Sequence, residues 1–425
     1  MNTRGMRLGY YLVLIYILQV ILGKTFLEHA WGPMWIVSKG LICTLTAVMF
    51  LYLAAGAGKG TAFSGNANDY RRVRLFLLLF LAWGLTSACV QEQLAVNLMA
   101  YAVFSGMVIL LGLCPMSFLR RVPLDRPVVV LSAIICLGAI ASLVALATGF
   151  PSPTYQGRLC GIYNGSITAA RLTVLGAIVI LWRLSLAPRK YHVLLLMLAA
   201  CVITVFLAQS RSTIVALGIG IIPIAVRASY AKKPLISGCM VLGFLLCLSV
   251  ALVLSLGVAG SKVAAARKFL RIERPLRELP QERMRYWEKG LDDLRLTNVI
   301  GQGYLASFGG GAGGFKESGY DIELNRHNAF LACAQSYGVV GLAMWVAFLL
   351  TATFSLVSRR DPLATLALAV MGYGLTISVT TNWLLSFGSP VDAVSWFILG
   401  VALAPSALNG ICYRPTPVLN PRSLI

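Results

Sequence analysis

The chain has 425 residues, of which 58% are hydrophobic and 12% charged, with a formal net charge of +21 and a mean hydropathy of +0.80. A soluble fold cannot cover that much apolar surface, so soluble enzymes and soluble binding modules are excluded and an all-α polytopic membrane protein is indicated. The basic excess reads as an orientation signal and as a match for anionic groups at a membrane, with no nucleic acid expected as a partner.

Apolar runs near the length of a bilayer-spanning helix recur along the whole chain. Spans are expected at roughly 8–23, 35–56, 75–90, 94–114, 128–149, 166–184, 193–208, 213–226, 235–258, 338–357, 363–379 and 393–408, about twelve in all. Every second connection is basic: Arg4 and Arg7; Lys59, Arg71, Arg72 and Arg74; Arg120, Arg121 and Arg126; Arg183, Arg189 and Lys190; Arg227, Lys232 and Lys233; Arg359 and Arg360; Arg414 and Arg422. The positive-inside rule then puts both termini in the cytoplasm. The first apolar run lacks a small-residue cleavage site and reads as an anchor. Residues 1–425 read as a single integral membrane domain with no internal repeat.

Residues 259–328 form a large external loop within that domain, with about a dozen Lys and Arg, and long translocated segments escape the charge rule. Its stretch "SKVAAARKFLRIERPLRELPQERMRYWEKGLDDLRL" has helical apolar spacing interrupted at Pro275 and Pro280. That pattern predicts short helices on the membrane surface, with Phe269, Leu270, Trp287 and Leu291 facing inward. "GQGYLASFGGGAGGFKESGY" then supplies a flexible or tightly turning segment. No strand precedes it and no Lys-Ser/Thr follows, so a nucleotide site is a weak reading. The ten cysteines lie mostly inside expected spans and Cys160 is alone in an external loop, so no disulfide framework is implied. There is no Cys/His pair at zinc spacing, and the acidic pair Asp292-Asp293 reads as a face of an amphipathic helix. Neither a metal nor a cofactor is expected.

Several guanidiniums and one imidazole share the external face. Arg158 lies in "TYQGRLCGIYNGSITAARL", and Arg211 in "LAQSRSTIVAL", a connection so short that it must sit at the outer membrane boundary. Arg283 and Arg285 lie in "QERMRYWEKG", and Arg326 is followed by His327 and Asn328 where "NRHNAFLACAQSYGVVGLAMW" turns apolar. A lone arginine at a helix end ordinarily snorkels to lipid headgroups, and a lone histidine ordinarily caps or packs. A guanidinium wedged between apolar runs is costly unless paired or facing a polar cavity, which favours function for Arg211. Like-charge repulsion from Arg326 favours a neutral, base-competent His327. Arginines with one neutral histidine and no carboxylate pair suit displacement of a pyrophosphate leaving group. The guanidiniums hold phosphate oxygens bidentately while the imidazole takes a proton from an attacking hydroxyl. No ATP exists outside the cell membrane, so the donor must arrive activated, as a sugar on a polyprenyl pyrophosphate does.

Four stretches resemble the O-antigen ligase and O-antigen polymerase superfamily of bacterial lipopolysaccharide biosynthesis, and most of all its ligases. "RLCGIYNGS" resembles the Arg-x-x-Gly-x-aromatic-x-Asn element, through Arg158, Gly161 and, one position early, Asn164. "SRST" resembles the Ser-Arg element, through Arg211. "RMRYWEKGL" and "IGQGYLASF" resemble Arg-x-x-x-Trp followed by Gly-x-Gly, through Arg283, Trp287, Gly301 and Gly303. "HNAFLACAQSYGVVGL" resembles the histidine-led element, through His327, Asn328, Leu331 and Gly338. Two departures stand out: Asn-Pro-Asn is Asn164-Gly165-Ser166, and the acidic residue nine positions after the histidine is Ser336, which leaves His327 without an obvious orienting acid.

The resemblance implies a GT-C-like glycosyltransferase of the bacterial inner membrane. It would move O-antigen from an undecaprenyl-pyrophosphate donor to a lipid A-core acceptor on the periplasmic face, inverting and without metal. His327, Arg211 and Arg283 would be catalytic, with His327 as base or acceptor-positioning group and the two arginines on the pyrophosphate. Arg158, Arg285, Arg326 and Asn328 would contact substrate. A polymerase using a carrier-linked acceptor is the nearest alternative. A protein-glycosylating relative would need a longer chain, and a transporter or flippase would show repeat symmetry and broken helices, neither of which the sequence displays.

Overall fold

The computed structural model describes residues 13–18, 20–22, 67–90, 94–113, 115, 125–149, 154–155, 158–163, 165–186, 191–208, 210–230, 287–288, 291, 299–304, 328–359, 361–386 and 389–404. Within them the chain is helical apart from one small hairpin. Helix α1 is Ala67–Cys89, α2 Leu94–Val108 with a π-helical turn Ile109–Leu113, and α3 Asp125–Thr148. Strands β1 (Thr154–Tyr155) and β2 (Arg158–Leu159) pair antiparallel, Thr154 against Leu159 and Tyr155 against Arg158. Then come α4 (Ser166–Ser185), α5 (Tyr191–Leu207), α6 (Arg211–Tyr230), α7 (Ala329–Val357), α8 (Pro362–Ser378) and α9 (Pro390–Ala402).

Runs of Leu, Ile, Val and Ala favour helix here because a backbone in lipid must satisfy its own polar groups. Caps start the helices: Asp361 accepts from the Ala364 amide at 2.9 Å and Ser389 from the Asp392 amide at 3.3 Å, with proline as first helical residue in both cases. Five helices are long and apolar enough to cross a membrane, and five further apolar helices are shorter. These ten sit where the sequence places spans, whereas the expected spans 35–56 and 235–258 lie outside the described residues. Helix α9 is one of the short ones. At 13 residues it is about 20 Å long, too short for a bilayer, and every one of its residues is buried. It is a central post, walled by Trp345, Phe348 and the π-turn, whose Leu111 and Gly112 carbonyls approach Gly400.

Short connections make successive helices antiparallel and give the bundle two ends. At one end Arg227 donates to Thr365 (2.9 Å), Trp182 to the Pro362 carbonyl (2.7 Å), and Arg359 to Asp361 (2.8 Å) and to the carbonyls that close α9, Ala402 and Ala404. Arg71, Arg72, Arg74 and Arg183 stand at this basic end too. The opposite end gathers the C-terminus of α1, the β1–β2 hairpin, the α5–α6 turn, residues 299–304, the start of α7 and the α8–α9 connection. The sequence displays no broken helix, but the structure contains one. Gly338, at φ 69 and ψ −177, divides α7 into 329–337 and 339–357. The expected span 338–357 is therefore the second half alone, and the first half comes from what hydropathy reads as loop and boundary.

Candidate functional site

The break in α7 organises the end opposite the basic one. A helix interrupted at Gly338 loses the donors for the carbonyls of its preceding turn, and in a membrane those oxygens must find others. Each does. The Gln302 amide donates to Gln335 (2.8 Å) and the Gly303 amide to Ser336 (3.0 Å). From α1, Ser87 Oγ donates to Ser336 (2.8 Å) and Trp83 Nε1 to Tyr337 (2.7 Å). Only glycine fits at 338, because a Cβ there would collide with the Val299 carbonyl and φ is left-handed. Gly301 and Gly303 are left-handed too, at φ 86 and 84. The Gly-x-Gly stretch that the sequence reads as a flexible or turning segment is a tight turn lodged in the break. It is held on its far side by Tyr304, which is fully buried, stacks on Phe104 (5.1 Å between rings) and donates from its hydroxyl to the Leu385 carbonyl (2.9 Å).

The histidine-led element begins that same helix. Asn328 is the N-cap of α7, its side-chain oxygen accepting from the Phe330 (2.9 Å) and Leu331 (3.2 Å) amides. The side chain expected to contact substrate thus commits its oxygen to fixing the start of the helix. His327 and Arg326 precede the cap in sequence and, with Arg283, Arg285, Phe269, Leu270, Asn164, Asp292 and Asp293, lie outside the described residues. Ser336, where an acid was expected, lies eight residues beyond the cap, about 12 Å along the axis. The position matters through its carbonyl, which holds the turn, while its own hydroxyl is buried without a hydrogen-bond partner.

The two remaining arginines stand on β2 and α6, each of which touches α5. Arg158 is exposed on β2, and β2 packs against α4 and α5. Its loop is pinned to α3, where the Ile162 amide donates to Ser142 Oγ (3.2 Å) and left-handed Gly161 (φ 62) leaves no room for a Cβ beside that serine. Arg211 is the first residue of α6, immediately after the Ser210 whose carbonyl receives the Thr213 and Ile214 amides, both at 3.1 Å. The α5–α6 turn and the hairpin are at the same end of the bundle, so Arg158 and Arg211 belong to one face. Trp287 is half-buried with its indole nitrogen lacking a hydrogen-bond partner, and Leu291 is exposed rather than packed on protein.

The structure adds residues that the sequence reading passed over. Arg171, inside the apolar α4, donates to Thr381 (2.8 Å), and Asp392 in the first turn of α9 is 2% exposed. A signal for both was present, since each is an ionisable residue inside an apolar run. Ser87, Trp83 and Tyr304 carried no such signal, because their partners are 249, 254 and 81 residues away.

Residues 194–346 match the family model described as O-antigen ligase. The chain carries an O-antigen ligase domain. The match runs from α5 through Arg211, the long loop and His327 to the helix just beyond the break, so it holds the Gly-x-Gly turn and the broken helix in one unit. No curated protein matches the sequence significantly. With this domain in a multi-pass membrane bundle the chain is an enzyme of the O-antigen ligase and polymerase type, and the domain implies lipid-linked glycan substrates.

Proposed function

We propose that this O-antigen ligase family enzyme transfers O-antigen from undecaprenyl pyrophosphate to a hydroxyl of the lipid A-core oligosaccharide. It does so at the periplasmic face of the inner membrane, inverting the anomeric centre and using no metal. The observation that carries the reading is the start of α7. Asn328 fixes a helix N-terminus next to His327, and the Gly-x-Gly turn locks that helix at Gly338, on the face that also bears Arg158 and Arg211. A helix N-terminus favours negative charge, which suits a pyrophosphate leaving group beside a neutral imidazole.

In this reading the donor's tail stays in lipid and its pyrophosphate lies among guanidiniums, Arg211 and Arg283 foremost, with Arg158, Arg285 and Arg326 around them. Their forked N–H groups stabilise the charge that grows on the departing oxygen. His327 accepts the proton of the acceptor hydroxyl as its oxygen attacks the anomeric carbon in line, and the C–O bond to the pyrophosphate breaks. The basic end of the bundle faces the cytoplasm, both termini lie there, and about twelve spans of a GT-C-like arrangement surround the site.

A transporter would also use a broken helix, but there the freed carbonyls face a cargo ion. Here the carbonyls of 335, 336 and 337 accept from Gln302, Gly303, Ser87 and Trp83. The break is a joint between protein segments. Purified protein incubated with a polyprenyl-pyrophosphate glycan and lipid A-core, in EDTA, is expected to extend the core. Growth of the glycan on its carrier would make the enzyme a polymerase, and a magnesium or manganese requirement would undo the arginine mechanism.

A further inference from the structure

Over residues 381–386 the α8–α9 connection is not a surface loop. Trp383, Leu384 and Leu385 are at most 1% exposed, and Leu384 is held at φ 63, a left-handed conformation that a branched side chain keeps only when its surroundings over-determine it. Those surroundings can be named. Arg171 of α4 donates to Thr381 at the start of the segment (2.8 Å), and the Ser386 amide near its end donates to the Asp392 carboxylate (2.9 Å). Between them Trp383 donates to Ser395 Oγ (3.1 Å) and Trp396 to the Leu384 carbonyl (3.0 Å). Arg171 is itself fixed by the Tyr373 hydroxyl on its carbonyl (3.0 Å).

A guanidinium and a carboxyl group thus grip one buried segment near its two ends. Burying such groups is costly, and apolar side chains would pack the same space more cheaply. What the segment supports is the Gly-x-Gly turn. The Leu385 carbonyl receives the Tyr304 hydroxyl, and the Gly303 amide next to Tyr304 binds the Ser336 carbonyl at the break of α7.

We propose that Arg171 and Asp392 are positioning residues for glycosyl transfer, holding segment 381–386 as the floor on which Tyr304 sets the Gly-x-Gly turn against the helix that follows His327. This rests on the transfer reading above. Both residues lie outside the matched ligase domain, so the domain's site is completed by helices on either side of it in sequence. The guanidiniums assigned to the pyrophosphate are on other elements, so disturbing the floor changes the rate of transfer and leaves donor binding intact.

The test uses the purified full-length protein. Asp392→Asn is expected to lower kcat about tenfold or more with the donor KM within about twofold, since small misplacements of reacting groups cost rate. Tyr304→Phe removes a single hydroxyl and should lower kcat in the same sense. The double variant should be no slower than Asp392→Asn alone, because both changes act along one path. Arg171→Lys should retain more activity than Arg171→Gln, which lacks the charge. Leu385→Cys, protected from a maleimide in the otherwise wild-type protein, should react about tenfold faster or more once Asp392→Asn is added. Undiminished kcat in Asp392→Asn and Tyr304→Phe, losses that multiply in the double variant, or a thiol equally protected in both backgrounds would each overturn the proposal. If Asp392→Asn does not accumulate in the membrane, Tyr304→Phe and the two Arg171 variants decide the matter by the same criteria. Absence of any transfer by the wild type would sink the transfer reading, while the thiol measurement would still report on the floor.

Discussion

At the scale of single residues, chemistry was legible where a side chain is costly in its setting, and geometry was not. Arg211 at a membrane boundary and His327 at a helix entrance stand out from composition alone. The meaning of Ser336 does not, because only the helix rise from the Asn328 cap shows that residue 336 is about 12 Å from the helix start. What the site needs from this position is its carbonyl, which accepts from Gly303 and Ser87. Ser336→Ala keeps that carbonyl and removes a buried hydroxyl without a partner, a group whose desolvation costs about 1–3 kcal/mol. The alanine variant is expected to transfer at the wild-type rate with an unchanged or raised Tm. A loss of activity would show that the hydroxyl is used in the reaction.

At the scale of elements, hydropathy locates helices well because lipid leaves a backbone few alternatives, and it misses what happens inside them. The expected span 338–357 begins at Gly338, where the apolar run becomes continuous, so the reading found the second part of α7 and left its first nine residues to the loop and boundary. The Gly-x-Gly motif was visible, but its partner was not, since a turn at 301–303 and a break at 338 meet only through tertiary hydrogen bonds. The α8–α9 connection shows the same limit: "NWLL" (382–385) falls between expected spans and is packed core. Gly338→Ala puts a Cβ against the Val299 carbonyl and forces an L residue to a left-handed φ, a cost of about 1–2 kcal/mol before the clash. Transfer is expected to fall about tenfold or more, with faster hydrogen exchange at 301–304 as the turn leaves the break. An alanine variant with wild-type exchange and rate would mean that the break is not what holds the turn.

At the scale of the molecule, the alternation of basic connections and the two ends of the bundle are one fact read in two ways. Arg71, Arg72, Arg74, Arg183, Arg227 and Arg359 share an end, and the proposed site occupies the other. If the positive-inside rule applies, a cysteine at Gly310 is labelled from the periplasm and one at Lys232 is not; the reverse pattern would invert the orientation and move the site to the wrong compartment for its donor. The central claim is that this face of the molecule moves a glycan off polyprenyl pyrophosphate with His327 taking the acceptor's proton. The most direct measurement is transfer to lipid A-core by purified wild type, His327→Ala and His327→Gln across a pH series, with donor binding measured on each. General-base catalysis is worth about 10²–10⁴-fold, so both variants should lose transfer by that order while still binding donor, and the wild-type rate should fall as acid protonates the imidazole. Substantial turnover by His327→Gln, with no acid limb in the wild type, would contradict the account.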